Sequence, residues 1–331
     1  MSVLLRRTLY TVAAGVVLYV AAVIWFDIEP VAATLQGYPW WVFGAALALS
    51  SGNYLLRFAK WELSLRWLDV RRDAPQLTYR RSLVIYLAGL SMSITPGKVG
   101  EVLRSTLLKA SDGIPFTRTA PIVVADRLAD LGALVILSLV GLSEHAQYLP
   151  YVIVTAALVL AGAFVLGSPR LSGAVFDLLE RLPKVGSIAR RGRGLIDSSA
   201  ILHRPGPMTW LTLLSIAGWG LECIGFWLVL DGFSGVDVSL SLATFLWSMG
   251  TIVGALSLLP GGLLATEGSL VFAITRMVAG ATEAVAVAGS LLGRIATLWY
   301  GEIVGGIALA IFLRDPALRE KAMHDEESSA P

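Results

Sequence analysis

One unusual piece of sequence occurs twice, about half a chain apart, each time inside long apolar sequence. The first copy reads Pro96-Gly97-Lys98-Val99-Gly100-Glu101 and is followed by Arg127 in the run VVADRLADL. The second reads Pro260-Gly261-Gly262, with Glu267-Gly268 close behind and Arg294 in the run SLLGRIATL. The arginine follows the proline by 31 residues in the first copy and by 34 in the second, so break, glutamate and arginine recur in order and in rough spacing. Proline removes a helical hydrogen bond and glycine permits left-handed backbone. A break repeated in both halves of an apolar chain predicts a duplicated membrane protein with a central polar site.

With 56% hydrophobic residues and a mean hydropathy of +0.71, the 331 residues carry more apolar surface than a soluble core hides. Several stretches reach the roughly 20 residues that cross about 30 Å of hydrocarbon as helix, and the alternation of membrane β-strands is missing. The expected fold is all-α and polytopic, with spans near 8–26, 40–63, 82–95, 117–142, 150–167, 208–230, 240–259 and 284–313. Cys223, the one cysteine, excludes an internal disulfide and reads as a buried, inert thiol. His145, His203 and His324 do not stand at metal-ligand spacing, so neither a metal nor another cofactor is expected. No GxxxxGK[ST] pattern is present, which speaks against ATP as an energy source within this chain.

Charge gives the topology. Segments 27–39, 143–149, 231–239 and 279–283 contain no Lys or Arg, whereas Arg6, Arg7, the run from Arg57 to Arg81, the stretch 168–207 and the tail from Arg314 are basic. The positive-inside rule then puts both termini and the basic loops in the cytoplasm; Arg276 fits this pattern poorly. The first four spans correspond in order to the last four, each partner entered from the opposite side, which defines two inverted repeats, about 1–145 and 146–314, in one membrane domain, 1–314. Each repeat contains a broken or re-entrant helix hairpin, and the two hairpins meet near the midplane. Segment 168–207 joins the repeats; Leu171, Val175, Leu178, Leu179 and Leu182 at helical spacing, with Arg190, Arg191 and Arg193 beyond, suit either an amphipathic helix on the cytoplasmic membrane surface or a solvated basic linker. Residues 315–331 form a charged cytoplasmic tail.

Lys98, Glu101, Arg104, Asp126, Arg127, Asp130, Glu222, Glu267, Arg294 and Glu302 all fall within or beside membrane depth. At about 2.5–3.5 kcal/mol for each charge at a helix centre, they must pair or converge on a polar interior. Glu101 with Arg127 and Glu267 with Arg294 are the obvious pairs. Lys98, Glu101, Arg104, Arg127, Asp130, Glu267 and Arg294 are the candidate residues for holding a lipid headgroup, since guanidinium forks and free helix N-termini both suit phosphate. The glutamate–arginine pairs serve equally well as locks between each hairpin and its neighbouring span, and both readings stay open. Pro96, Gly97, Gly100, Pro260, Gly261, Gly262 and Gly268 are the expected hinges. Gly289/Gly293 and Gly301/Gly305 read as helix-packing positions. Glu222, with a counterpart near Asn53 or Arg57, reads as a helix–helix hydrogen bond or a proton-coupling group. Lys60 and Glu62 are expected to snorkel from a span end, and Trp40, Trp41, Trp61 and Trp67 to anchor at the interface.

The residues PGKVGEVLR from Pro96 to Arg104, ADRLADL around Arg127, and LPGGLLATEG from Leu259 to Gly268 resemble the membrane region of the lysylphosphatidylglycerol synthases and the wider flippase-like family around it. In the two-domain synthases this region is thought to move an aminoacylated lipid between leaflets while a separate soluble domain makes it. The present sequence stops at residue 331 with no such domain, so the resemblance implies translocation without synthesis, and similar proteins act beside glycolipid, isoprenoid-glycan or hopanoid pathways. The expected function is that of a non-enzymatic flippase or transporter in a bacterial or archaeal cytoplasmic membrane, moving an anionic or glycosylated lipid headgroup. A membrane-embedded transferase acting on a lipid-linked sugar or phosphate, with Glu101 or Asp130 as general base, and a partner subunit of a glycosyltransferase or lipid-synthesis enzyme are the alternatives. Nucleic acid is not an expected partner.

Overall fold

A computed structural model describes residues 28–95, 101–140 and 195–315, with scattered positions between 149 and 177. The expected span 8–26, most of 150–167 and of 168–207, the stretch from Pro96 to Gly100 and the tail from residue 316 lie outside the described residues. Regular structure among the described residues is helical, apart from an isolated bridge between Asp237 and Ala279.

In the first half α1 (Ile28–Thr34) leads into α2 (Trp40–Trp67), whose 28 residues make a rod of about 42 Å. After a single turn, α3 (Val70–Asp73), α4 (Tyr79–Ala88) starts at Thr78, whose hydroxyl accepts from Arg81 N at 3.2 Å. It tightens into a 3₁₀ turn, Gly89–Met92. Beyond the break come α5 (Leu103–Asp112), closed by Gly113 at φ +74°, the turn α6 (Phe116–Thr119) and α7 (Pro121–Val140). The second half holds α8 (Leu195–Leu202), α9 (Pro205–Asp231), α10 (Leu240–Leu256), a 3₁₀ turn at Pro260–Gly262, α11 (Ala265–Met277), α12 (Glu283–Arg294), a π-helical turn at Ile295–Trp299 and α13 (Tyr300–Leu313). By length and composition α9 and the continuous run Glu283–Leu313 can cross a membrane. The helices α2 and α7 match that reach but carry charges on their buried faces.

The first break begins sooner than the expected span 82–95 allows. Ser91, Ser93 and Thr95 return their hydroxyls to the carbonyls of Ala88, Leu90 and Met92 at 2.7–2.8 Å. Such local bonds compete with the helical ladder and end α4 early. Its ten residues then rise only about 15 Å, half the hydrocarbon thickness.

Packing brings the two breaks together. Helix α9 lies along α2 and α7, α10 packs on α7 and α11, and α13 runs along α4 and its 3₁₀ turn. Ile94 before the first break, Leu263 after the second and Leu298 from the π turn form one buried cluster. A Cβ on Gly261 would stand 3.4 Å from Ile94 Cα. Glu302 Oε1 accepts from Ile94 N at 2.9 Å, so the last helix caps the first break. Gly305 lies so close that a Cβ there would reach Ser91 N at 2.2 Å. Gly289, Gly293 and Gly301 are likewise pressed against Leu230, Phe226 and Tyr54, which is the packing role their spacing suggests.

Candidate functional site

The first half builds a buried charge network from three elements. One face of α2 carries Arg57 and Lys60, one face of α7 carries Asp126 and Asp130 with Arg127 beside them, and the chain entering α5 supplies Glu101 and Arg104. Lys60 Nζ lies 2.9 Å from Asp130 and 3.2 Å from Asp126. Asp130 also faces Arg57 at 3.2 Å, accepts from Ser215 at 2.8 Å and has Arg127 at 3.7 Å. Glu101 accepts from Arg104 at 3.0 Å and from Arg127. Arg104 in turn reaches Asp126 at 3.6 Å and stacks 4.6 Å over the Tyr86 ring. Four cations thus share three carboxylates, and the side chains of Lys60 and Arg104 are wholly buried while that of Arg127 is 23% exposed. Burial of this kind is tolerable only because each charge has partners.

Two expectations for the end of α2 are corrected here. Lys60 does not snorkel: the acidic face of α7 is packed against it, and its charge is neutralised there. Glu62 is also buried, accepting from Arg71 Nε at 2.8 Å and from Ser82. Trp61, expected at an interface, is fully buried with Nε1 donating to Ser82 at 3.1 Å, and Trp67 is partly buried against the same core; Trp40 and Trp41 are exposed.

In the second half Arg294 closes α12. Its Nε meets Glu267 Oε1 at 2.6 Å and its Nη2 donates to Gly261 O at 2.7 Å. Gly261 and Gly262 adopt φ +60° and +68°, which glycine takes without strain. The second arginine therefore grips both the acid and the break itself. The π turn that follows at once is an irregularity often found at functional sites.

Both arginines reach one cavity. It measures about 190 Å³; Arg127, Asp130 and Arg294 give its polar part, Gly261 and Gly262 its backbone edge, and Leu131, Leu134, Leu258 and Leu259 much of its apolar lining. A second, more polar cavity of about 70 Å³ shares Trp219, Thr251 and Arg294 with the first and adds Tyr54, Arg57, Glu101 and Glu222. Arg57 also lies 5.8 Å over the Trp219 ring. Glu222 accepts from Asn53 and, at 3.3 Å, from Trp247 Nε1, so the Asn53 counterpart expected from sequence is in place.

The structure sorts the expected site residues. Arg127, Asp130 and Arg294 line the larger cavity and Glu101 the smaller. Arg104 and Glu267 line neither and serve the internal pairs, because Arg104 is turned into the network and Glu267 toward Arg294. Gly268 is not at a hinge: it lies within α11 with open space where a Cβ would be. Lys98, Pro96, Gly97 and Gly100 lie outside the described residues. Arg57 is a charged cavity residue that sequence reasoning offered only as a possible counterpart of Glu222. Its spacing of three from Lys60, set against the spacing of four between Asp126 and Asp130, is the available signal: two complementary helix faces.

The model of the family described as Lysylphosphatidylglycerol synthase TM region matches residues 12–305. Two proteins of Methanothermobacter thermautotrophicus, each named UPF0104 membrane protein, are similar to the chain. One is 22% identical over 324 residues, covering 91% of this chain and 92% of its own; the other is 22% identical over 275 residues, covering 75% and 80%.

Proposed function

Because the chain belongs to the lysylphosphatidylglycerol synthase transmembrane-region family, and because its halves direct one arginine each into a common cavity, we propose that it carries a phosphate-bearing lipid headgroup across the membrane without chemically altering it. The observation that carries this reading is the joint lining of that cavity by Arg127 and Arg294 beside leucines of α7 and the second break. Paired guanidinia replace the water lost by a phosphate, and the apolar lining suits the adjoining lipid chain. Asp130 and Glu101 hold the arginines in place and limit the net charge, so the headgroup meets a site already organised. The broken pairs α4/α5 and α10/α11 are read as hairpins dipping from opposite faces, with both termini cytoplasmic, and the two repeats as inverted copies that expose the site to each leaflet in turn.

The transferase reading has less support. Its candidate bases, Glu101 and Asp130, each already pair with two or more cationic side chains, so their oxygens are engaged in holding the network together. Headgroup translocation in proteoliposomes, measured with quenchable lipids of anionic, zwitterionic and glycosylated headgroups, tests the proposal. Wild type is expected to accelerate flipping of at least one phosphate-bearing class, and Arg127→Ala and Arg294→Ala to slow it about tenfold or more, the equivalent of a lost charge-assisted hydrogen bond. Folded wild type that moves no lipid would sink this reading in favour of a transferase or partner subunit.

A further inference from the structure

The start of α4 and the end of α13 enclose a surface pocket of about 550 Å³ that shares no lining residue with the central cavity and is lined by Arg80, Arg81, Val84, Ile311, Arg314 and Asp315, among others. Three guanidinia converge on it. Arg80 and Arg314 are exposed and make no ion pair among the described residues. Arg81 has its two carboxylate neighbours, Asp112 and Asp315, only at 3.9 and 3.8 Å, and its Nε is buried without a hydrogen-bond partner. The first turn of α4 adds backbone N–H groups and the positive end of its dipole. The carbonyl end of α13 opposes this, and Arg314 offsets it.

The pocket is not merely basic. Val84 and Ile311 lie among its arginines, and Ile311 continues the exposed apolar face of α13 through Ile307 and Ile303. A ligand that satisfies both parts carries a phosphate at one end and an alkyl chain running along a membrane helix from the other.

We propose that this pocket binds an anionic phospholipid of the surrounding bilayer, at a site separate from the transported headgroup. Its position gives the binding a consequence. The same two helices meet again deeper in the protein, where Glu302 caps Ile94 and Gly305 abuts Leu90 and Ser91. A lipid bridging Arg80 and Arg314 fastens α4 to α13 at their other ends and so steadies the first break.

The test uses the full chain in detergent, titrated with phosphatidylglycerol, phosphatidylcholine or inorganic phosphate, with bound lipid counted by native mass spectrometry and thermal stability followed in parallel. Phosphatidylglycerol is expected to bind and raise the melting temperature more than phosphatidylcholine does. The double variant Arg80→Gln/Arg314→Gln is expected to bind it about thirtyfold more weakly, equivalent to about 2 kcal/mol for two guanidinia at a membrane surface. Because neither arginine has a described ion pair to lose, that variant should fold as wild type does. Arg127→Ala should retain the lipid-induced rise, which separates this site from the central one. Equal affinity in wild type and the double variant would overturn the proposal, and so would a phosphate effect as large as that of the lipid.

Discussion

Lys60 and Arg127 both pair with Asp130, and their substitution separates lock from cavity. Lys60 is fully buried between two carboxylates, so Lys60→Met leaves Asp126 and Asp130 under-compensated. Breaking a buried pair from one side costs about 3–5 kcal/mol, and a correspondingly large fall in melting temperature is expected. Arg127→Ala should cost less, because its side chain is partly exposed to the cavity. Equal losses would mean that Arg127 is as structural as Lys60. The sequence displayed the pairs of Glu101 with Arg127 and Glu267 with Arg294 because each falls inside its repeated motif. Lys60 and Arg57 escaped because their partners lie about 70 residues away on another helix, and hydropathy sees only a charged helix end. At a second position, outside the spanning helices, His203 Nδ1 donates to Ser199 O at 2.7 Å and burial holds its pKa below the ordinary 6.5. The unfolded chain therefore takes up the proton first as pH falls through about 6.5, and stability declines. His203→Gln should flatten melting temperature between pH 7 and 5; an unchanged slope would show that other groups dominate.

The run from α12 through the π turn to α13 organises both breaks. Arg294 holds Gly261, Leu298 packs against Ile94, and Glu302 caps the first break from the next turns. Its two adjacent glycines give a signed comparison. Gly305→Ala drives a methyl into the backbone of Leu90 and Ser91 and is expected to cost about 1–3 kcal/mol. Gly306→Ala meets nothing within 4 Å and should stabilise by up to about 1 kcal/mol through helix propensity alone. Comparison of melting temperatures checks both, and a tolerated Gly305→Ala would mean that α13 moves freely against the break. Proline and glycine made the breaks legible in sequence. The π turn was not legible, since Ile295 to Trp299 are ordinary helix formers and their register is set by Arg294 and Glu302 gripping two breaks at once.

Across the molecule, the two halves join where their breaks meet, and the joint cavity lies there. The all-helical character and the paired breaks could be read from apolar runs and motif spacing. Contact between the breaks could not, because it depends on how α13 crosses α4. The proposed opposition of the two hairpins is tested by single-cysteine labelling: Ser111→Cys should react from the cytoplasmic face and Glu283→Cys from the outside, and the reverse pattern at either position would contradict the proposed inverted arrangement. Glu283 is exposed in the first turn of α12 and so is open to a labelling reagent. The claim that two half-sites serve one headgroup is most directly tested by the double-mutant cycle on translocation rate, with Arg127→Ala, Arg294→Ala and both together in proteoliposomes. If both arginines hold the same phosphate, the double variant should be little slower than the slower single one, because removing either already dismantles the joint site. Losses that multiply would place the two arginines at separate, independently acting positions and contradict the single shared site.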